Sequence, residues 1–381
     1  MNLAAAATGA GWIVLAMAVC GAVYALGATL ALWRFTRKPA PTLAGAPSVT
    51  VLKPVLGDEP GLYENLKSFC AQDYPGPVQL IIGAQDPADA ALAVAERVRR
   101  EHPCVDMAIV SDGTPHGTNR KIANLINMSA QAVGEIVVIS DSDVRLAPNG
   151  LTRIVAALQQ PGVGLIHCLY RGVPVGNLWS DLAAMDNQIR FAPSVVIGEA
   201  LGANPCLGPT MALRAEVLQK LGGFQFLADQ LADDFVLGIG VRGQGLSIAS
   251  PALIIDHLFP EKTAREMLVH ELRWARTIRL VQPAGYGGSV ITHFLVLALI
   301  GAALTGFALL PLQILLGLLV LRMIQCVVLV RLMKADGGKL WLAPLRDLLS
   351  FGVFLAAYTG NRIEWRGNRL RVGSDGAMAS S

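Results

Sequence analysis

Long apolar runs near both ends of the chain enclose a middle part built from short alternating segments. The first run, Gly11–Trp33, is long enough as a helix to cross about 30 Å of hydrocarbon, and Arg34, Arg37 and Lys38 follow it. A cleaved signal peptide carries its basic residues before the apolar run, so we expect residues 1–38 to be a retained anchor. Basic residues favour the cytoplasmic side, which predicts that the chain after the anchor is cytoplasmic.

A second apolar block covers residues 290–333 and has basic residues on both sides. Its length of about 40 residues predicts two short spans, joined by a turn near Pro311. A last apolar stretch, residues 340–360, contains Arg346 and Asp347. Because burying charges in hydrocarbon is costly, we expect a re-entrant or interfacial helix there, with a fourth transmembrane helix as the alternative.

Residues 45–260 alternate β-rich runs with helix-like stretches, which is typical of a mostly parallel sheet with connecting helices. The predicted strands are Val49–Leu52, Gln79–Ala84, Val105–Val110 and Ile136–Ser140, and the predicted helices are 60–72, 88–101 and 119–132. Ligands of such sheets bind beyond the carboxyl ends of the strands. We therefore expect the functional residues in the polar segments that follow the strands.

The composition agrees with a membrane protein that carries a folded domain. Of the 381 residues, 53% are hydrophobic and 15% are charged, and the mean hydropathy is +0.49, which excludes a disordered or collagen-like chain. A formal net charge of +3 gives no reason to expect a nucleic-acid partner. The six cysteines lack Cys-x-x-Cys spacing, so we expect free, mostly buried thiols.

Asp141-Ser142-Asp143 directly follows the fourth predicted strand. Alternate side chains of an extended chain lie on one side, so both carboxylates are predicted to face the same way. Carboxylate oxygens at a strand end suit Mg²⁺ or Mn²⁺ that is held jointly with substrate phosphates. The alternative is a turn or a helix N-cap, which short polar triplets often form.

Two later segments complete the candidate chemistry. Asp233-Asp234 lies about 90 residues after the triplet. Reactions with a phosphate leaving group often combine a metal site with a general base, and this pair could supply the base. The alternative is a helix N-cap. Further on, His270, Arg273 and Trp274 share one face of a predicted helix. Arginine beside indole suits a diphosphate and a ring, and the same helix also suits a membrane surface.

Taken together, these motifs resemble the ceramide glucosyltransferase family, whose members are inverting membrane glycosyltransferases with the GT-A fold. The resemblance rests on an ordered set: Lys53-Pro54, Gln85-Asp86-Pro87, Asp141-Ser142-Asp143, Gly208-Pro-Thr-Met-Ala-Leu-Arg214, Asp233-Asp234 and Arg273-Trp274. Four further segments are most similar to the bacterial branch linked to hopanoid biosynthesis, which attaches N-acetylglucosamine to a hopanoid polyol: Tyr63–Leu66, Phe69–Pro75, His116–Lys121 and His270–Trp274.

The resemblance implies an α/β domain of the GT-A fold, Rossmann-like and cytoplasmic, beside α-helical transmembrane segments. The expected parts are the anchor 1–38, the catalytic domain 45–260, an amphipathic interface helix 261–289 with the Arg-Trp pair, two transmembrane helices 290–333, the segment 340–360 and a tail 361–381 that is basic and then, from Gly373, disordered. The protein is thereby expected in the inner, cytoplasmic membrane of a bacterium.

Carried over by position, the resemblance also assigns roles to single residues. By this assignment Asp86 recognises the nucleotide, Asp143 and Asp141 bind Mg²⁺ or Mn²⁺, and Lys121 contacts the phosphates. Asp234 is the general base, with Asp233 beside it. Arg273 and Trp274 close the leaving-group side, and His270 belongs to the residues that bind the donor. The family usually has Gln or Arg where His270 stands, and Glu where Asp233 stands.

The implied reaction moves N-acetylglucosamine or glucose from a UDP-sugar to the hydroxyl of an inner-leaflet lipid, with inversion to a β-glycoside. A hopanoid polyol is the expected acceptor, and ceramide is the alternative. A polysaccharide synthase shares the same acids but needs more spans than the three or four found here. A transporter or scaffold without chemistry does not need an α/β insert with acids after consecutive strands.

Overall fold

The computed structural model describes residues 3–360, 362–365, 368–372 and 378–380. The chain divides into two compact units. The helical unit comprises Met1–Thr36, Gly172–Ala203 and Glu261–Asp375, and the sheet unit comprises Arg37–Arg171, Asn204–Pro260 and Gly376–Ser381.

The strands are short and most of them belong to the sheet unit. In chain order they are β1 (Val49–Pro54), β2 (Val78–Ala84), β3 (Asp106–Ser111), β4 (Ile136–Ser140), β5 (Val144–Arg145), β6 (Val163–His167), β7 (Leu169–Pro174), β8 (Thr210–Arg214), β9 (Ser247–Ala249), β10 (Ile254–Phe259), β11 (Arg362–Trp365), β12 (Asn368–Val372) and β13 (Met378–Ser380). Of the tail that was predicted to be disordered, residues 373–377 and 381 lie outside the described residues.

The helices differ in length from 6 to 35 residues. They are α1 (Leu3–Arg37), α2 (Leu62–Cys70), α3 (Ala90–Glu101), α4 (Arg120–Ser129), α5 (Gly150–Leu158), α6 (Leu178–Asp186), α7 (Ala192–Ala200), α8 (Ala215–Lys220), α9 (Asp233–Gly243), α10 (Ala264–Val281), α11 (Pro283–Gly288), α12 (Phe294–Leu304), α13 (Leu309–Met333) and α14 (Ala343–Ala356). A π-helical turn, Asn187–Phe191, joins α6 to α7. Short 3₁₀ turns occupy Gly223–Leu227, Ser289–His293, Leu340–Leu342 and Ala357–Thr359.

The sheet unit contains a seven-stranded sheet of order β3-β2-β1-β4-β8-β6-β9. Strand β1 pairs in parallel with β2 and β4, and β2 pairs in parallel with β3. The predicted alternation of strands and helices is therefore confirmed through β4. Strand β8 is antiparallel to both of its neighbours, β4 and β6, an inversion that the sequence did not predict.

The central strands of this sheet are covered on both faces. Every residue of β1 and β4 is buried, which explains their nearly continuous apolar sequence. Amphipathic helices pack on the sheet; α4, for example, buries Ile122, Leu125, Ile126 and Met128. The buried part of the sheet ends at the carboxyl ends of the parallel strands, where the polar segments begin.

Among the residues that the structure describes, the helical unit holds four helical segments that are long and apolar enough to cross a membrane. They are Ala5–Arg37, Pro283–Leu304, Leu309–Met333 and Leu340–Thr359. The last segment has the length that the fourth-span alternative requires, and its re-entrant placement remains a prediction.

The turn predicted near Pro311 lies a few residues before it. The chain turns between α12 and α13, where Gly306 and Phe307 have φ angles of 66° and 53°. Pro311 instead lies in the first turn of α13, where its missing N–H removes no intrahelical hydrogen bond. The helix therefore begins just before the proline rather than after it.

Small residues let α1 pack closely against the segment that contains α12. A Cβ atom built on Gly21 would lie 2.2 Å from the carbonyl oxygen of Ile291, and one on Gly11 would lie 2.7 Å from Thr305 Cγ2. Backbone approach of this kind is common between membrane helices. We infer that these glycines fix the contact between the anchor and the second hydrophobic block.

The two charges of the last apolar segment are buried but have partners on other helices. Arg322 of α13 donates hydrogen bonds of 2.9 and 2.6 Å to Asp347. Arg346 donates a 2.6 Å hydrogen bond to Glu271 of α10 and lies 3.5 Å from Asp186. Buried ions are tolerated when they are paired, so these charges do not prevent the segment from being buried.

Candidate active site

The sheet unit collects its polar segments at one edge of the sheet. The carboxyl ends of β1, β2 and β4 lie there because these strands are parallel. The antiparallel pairing of Ser140 with Thr210 brings the start of β8 to the same edge, and the amide of Asp141 donates to the carbonyl of Pro209, 3.0 Å away. The polar segments that follow these strands therefore lie together at this edge.

A cavity of about 390 Å³ lies after β2 and β3. It is lined by Gln85, Asp86, Pro87, Gly113, Pro115, Gly117, Arg120 and Ala123. Asp86 accepts a 2.8 Å hydrogen bond from the amide of Ala88, and Arg120 Nε donates to Gln85 Oε1 over 3.2 Å. Both a carboxylate and a guanidinium therefore border a cavity large enough for a small ligand.

Lys121 lies between the two acidic clusters that the sequence singled out. Its Nζ atom is 2.6 Å from Asp141 Oδ1 and 3.8 Å from Asp233 Oδ2. Burial lowers the pKa of Lys121, but these two carboxylates outweigh it and raise the pKa above its ordinary value. Lys121 is thus a fixed cation at the centre of the site.

The predicted extended geometry of Asp141-Ser142-Asp143 was wrong. The triplet forms a turn in which the amide of Val144 donates to the carbonyl of Asp141 over 3.2 Å. A turn is required because Val144 begins β5, which pairs with β10 instead of continuing β4. Asp141 then faces Lys121, whereas Asp143 Oδ2 lies 3.2 Å from His257 Nε2.

The donor atoms at this turn fit a divalent cation whose remaining ligands come from the substrate. Among the described residues, no group of three or more His, Cys, Asp or Glu side chains is arranged to hold a metal ion. Mg²⁺ and similar cations are often bound by only one or two carboxylates, with substrate phosphates and water as the other ligands. Asp143 and Asp141, with the imidazole of His257 beside Asp143, provide such a partial set.

Asp233 and Asp234 form the first turn of α9, where the helix dipole favours anions. The amide of Phe235 donates to Asp234 Oδ1 over 2.7 Å. Burial raises the pKa of Asp234 to about 7, with a further increase from Asp233, while the Phe235 amide and Lys121 oppose it. A carboxyl with a pKa in this range is suited to accept a proton near neutral pH.

Gly208 leaves space at the carboxylate of Asp234. A Cβ atom built on this glycine would lie 3.1 Å from Asp234 Oδ2, which is closer than ordinary van der Waals contact. The Gly208-Pro-Thr motif thus borders Oδ2 of Asp234, whereas Oδ1 accepts the hydrogen bond from the Phe235 amide.

The other predicted site residues lie in the helical unit, on α10. His270 Nδ1 is 2.5 Å from Glu261 Oε1, and the His270 ring contacts Trp274 edge-on with 4.3 Å between ring centroids. Trp274 also stacks on Phe191 at 6.5 Å. The shared face predicted for His270 and Trp274 is confirmed, and the approach of Arg273 and its neighbours to the acids remains a prediction.

Sequence reasoning missed three residues that surround the Asp-Ser-Asp turn. His257 is a polar residue inside the apolar strand β10, and that irregularity was the available signal. Lys53 was noted only as part of a motif, although a lysine within a buried strand is unusual. Asn65 was likewise noted only within the segment Tyr63–Leu66; its side chain donates to the carbonyl of Ser142, 3.0 Å away, only in the folded chain.

Comparison with known proteins adds a family and a fold. The profile of Glycosyl transferase family 21 matches residues 13–378. Ceramide glucosyltransferase 1 of Caenorhabditis elegans is 27% identical over 221 residues, 56% of this chain and 45% of that protein. An N-acetylglucosaminyltransferase of Bradyrhizobium diazoefficiens is 24% identical over 246 residues, 61% and 49%. The chain thus spans about half the length of these curated relatives.

A solved structure is similar over nearly the whole chain. It is a mannosyltransferase from Pyrobaculum calidifontis, in complex with GDP-Man and Mn²⁺, with a TM-score of 0.55, 22% identity and coverage of 91% of this chain and 97% of the other. This similarity concerns the fold alone. The sheet unit has the GT-A fold that the sequence predicted.

Proposed function

The chain belongs to glycosyl transferase family 21, and from that premise we propose that it transfers a sugar from a UDP-sugar to a hydroxyl of a membrane lipid, with inversion at the anomeric carbon. The observation that carries this proposal is the pair of acidic clusters around Lys121. One cluster faces the expected position of the diphosphate, and the other supplies a carboxyl with a pKa of about 7.

The donor nucleotide belongs in the cavity that Asp86 and Arg120 border. Uracil has one N–H donor and two carbonyl acceptors at its polar edge, so a carboxylate and a guanidinium complement it. Asp86 would accept from the ring N–H or from ribose hydroxyls, and Arg120 would donate to a carbonyl. This placement puts the diphosphate towards Lys121, one residue further along α4.

The cation, Mg²⁺ or Mn²⁺, would be held by Asp143 and Asp141, with His257 supporting the carboxylate of Asp143. Bound there, it would supply positive charge against the diphosphate as the leaving group departs. Lys121 contributes charge of the same sign from the chain itself. When the diphosphate binds, Lys121 can exchange part of its contact with Asp141 for a phosphate oxygen, because both are anionic acceptors.

Asp234 is proposed as the general base. A lipid hydroxyl is a poor nucleophile until its proton is removed in the transition state, and a base with a pKa near the working pH does this best. The hydroxyl attacks the anomeric carbon from the side opposite to UDP, so a single displacement gives the β-glycoside. Asp233 assists by keeping the pKa of Asp234 high. His270, Arg273 and Trp274 are proposed to close the leaving-group side.

The lipid acceptor follows from the helical unit. Four segments long and apolar enough to cross a membrane would hold the active site at the inner leaflet of a bacterial cytoplasmic membrane, where a lipid presents its hydroxyl. A hopanoid polyol with N-acetylglucosamine is our first choice, on the resemblance to the bacterial branch. Glucosylation of ceramide is the second choice, supported by the similarity to ceramide glucosyltransferase 1 of Caenorhabditis elegans.

The decisive assay uses the purified full-length protein in detergent with Mg²⁺ or Mn²⁺. UDP-glucose and UDP-N-acetylglucosamine are each offered with ceramide and with bacteriohopanetetrol, and products are identified by mass. Transfer to either lipid by the wild type, and its loss in Asp234→Asn, is the expected result. Hydrolysis without lipid glycosylation, or a polymeric product, would overturn the lipid assignment and favour a polysaccharide synthase.

A further inference from the structure

Lys53 occupies a position where lysine is costly. It is fully buried, at 0% exposure, in the central strand β1, and every other residue of that strand is also buried. Lysine is almost never fully buried unless it is paired, because removing an ammonium group from water is expensive. An apolar side chain of similar length would fill the same space without this cost, so the ammonium group must have a function in the fold or the site.

The hydrogen bonds of Lys53 converge on the turn that carries the two aspartates. Its Nζ atom lies 2.6 Å from the carbonyl oxygen of Asp141, 3.1 Å from that of Val144 and 3.5 Å from Ser140 Oγ. An ammonium group has three donors, and these three acceptors use all of them. The aliphatic stem ends over the ring of Phe69, with 4.3 Å between Nζ and the centroid.

These acceptors lie on both sides of the turn. Asp141 is its first residue, and Val144 follows its last residue. One rigid donor from β1 therefore fixes the entry and the exit of the turn relative to the sheet. Asn65 adds a hydrogen bond to the carbonyl of Ser142, so all three fixed points are backbone carbonyls.

The carboxylates themselves remain directed elsewhere. Asp141 pairs with Lys121, and Asp143 faces His257. Burial lowers the pKa of Lys53 to about 7, and the charges of Asp143, Asp141 and Glu59 oppose that shift. Lys53 thus holds the backbone of the turn without occupying the carboxylate oxygen atoms in the hydrogen bonds given above.

We propose that Lys53 is a positioning residue for the donor diphosphate: it holds the Asp141-Ser142-Asp143 turn in the geometry that binding and transfer require. That Lys53 positions the turn is a statement about the fold alone. That the turn serves the donor diphosphate rests on the proposed function. Lys53 acts through the backbone and does not contact the substrate.

The test compares Lys53→Met with Thr50→Val in the full-length protein in detergent. Thr50 is a matched control, because it is fully buried in the same strand and its Oγ1 accepts a 2.8 Å hydrogen bond from the amide of Gly134, at the opposite end. Hydrogen–deuterium exchange without ligand reports the turn directly. We expect Lys53→Met to speed exchange in residues 141–146 at least about tenfold. Thr50→Val should affect only residues around its own hydrogen-bond partners, Gln79 and Gly134.

Kinetics with the UDP-sugar give the second readout. We expect kcat of Lys53→Met to fall about 100-fold, since displacement of a catalytic group by about 1 Å has that effect, and Thr50→Val to stay within about threefold. If Lys53→Met does not fold, Lys53→Arg, which keeps the charge but not the three-way donor geometry, should show a smaller change of the same kind.

Unchanged exchange at residues 141–146 in Lys53→Met, or in Lys53→Arg where the first variant does not fold, would overturn the proposal. Equal loosening at both ends of β1 would do the same, because it would show general destabilisation. These outcomes are independent of catalysis. If the wild type transfers no sugar but the turn loosens as expected, the proposed function fails and the positioning role stands.

Discussion

Lys121 Nζ lies 2.6 Å from Asp141 Oδ1, and this ion pair places a cation between the two acidic clusters of the sheet unit. The same nitrogen is 3.8 Å from Asp233. Its charge also favours the ionised form of Asp234 and so lowers the pKa of that carboxyl, against the stronger effects of burial and Asp233. One residue thereby influences both the phosphate side and the base side of the site.

Replacing Lys121 should affect both sides. In Lys121→Met we expect kcat to fall about 100-fold, because a fixed positive charge near the leaving group is lost. The acidic limb of the pH–rate profile should move to higher pH, since Asp234 then loses the cation that favours its ionised form. The exposed Lys220→Met of α8 is the control. An acidic limb that stays in place would contradict the coupling between Lys121 and Asp234.

The wild-type pH dependence should follow Asp234. Its pKa is about 7, and a general base acts only when it is ionised. We therefore expect kcat/KM to fall as pH drops through about 7 and to level off above it. Asp234→Asn should lose about 100- to 10,000-fold in kcat while UDP still binds, as measured by calorimetry. The exposed Asp106→Asn of β3 should behave as wild type; a wild-type rate that stays flat through neutral pH would exclude Asp234 as the base.

Gly208 provides a steric test of the same carboxylate. In Gly208→Ala the new methyl group would lie about 3.1 Å from Asp234 Oδ2 before relaxation, so the carboxylate must shift. We expect kcat to fall about tenfold, with little change in the KM for the UDP-sugar, because misplacement of a base affects the transition state. The matched control is Gly243→Ala, because Gly243 ends α9, the helix that carries Asp234, and has open space around it. Equal kinetics for the two variants would argue against an acceptor hydroxyl at this oxygen.

Much of the sheet unit was predictable because its pattern is local. The bounds of β1 to β4 and of α2 to α4 follow from apolar runs and their polar ends, and the candidate acids follow directly from the strand ends. The antiparallel β8 was not predictable in this way. Its sequence, Thr210–Arg214, is an ordinary short strand, and its direction is fixed by pairing with residues about 70 positions earlier.

Side-chain partners were the least accessible part of the site. The sequence does not distinguish the environments of Asp141 and Asp143, which are two residues apart. In the structure, β5 requires a turn after β4, so that Asp141 pairs with Lys121 and Asp143 lies beside His257. The partner of Asp143 comes from β10, more than 100 residues later. Contacts between residues so far apart in the chain produce no local pattern in the sequence, so they could not be predicted from it.

Metal dependence should reveal the part of His257. We expect EDTA to abolish transfer and Mn²⁺ or Mg²⁺ to restore it. In His257→Gln the Mn²⁺ concentration for half-maximal activity should rise about tenfold, as is common when a ligand or its supporting group is lost. The shift in melting temperature caused by UDP with Mn²⁺ should shrink in parallel, which gives a readout without turnover. His102→Gln, after α3, is the control, and full activity in EDTA would contradict a metal at this turn.

Breaking the buried pair Arg322–Asp347 should destabilise the helical unit. Arg322 is 2% exposed and makes two hydrogen bonds to Asp347. Asp347→Asn removes its counter-charge, and we expect the free energy of unfolding to fall by about 3–5 kcal/mol, since an uncompensated buried charge remains. Thermal melting in detergent measures the loss as a lower Tm.

The double variant Arg322→Met/Asp347→Leu separates charge from packing in this pair. It removes both charges and keeps apolar volume, so it should recover most of the lost stability. Glu96→Gln, which breaks the exposed pair with Arg99 on α3, is the control and should cost less than about 1 kcal/mol. A double variant as unstable as Asp347→Asn would mean that the geometry of the hydrogen bonds, rather than the balance of charge, holds α13 to α14.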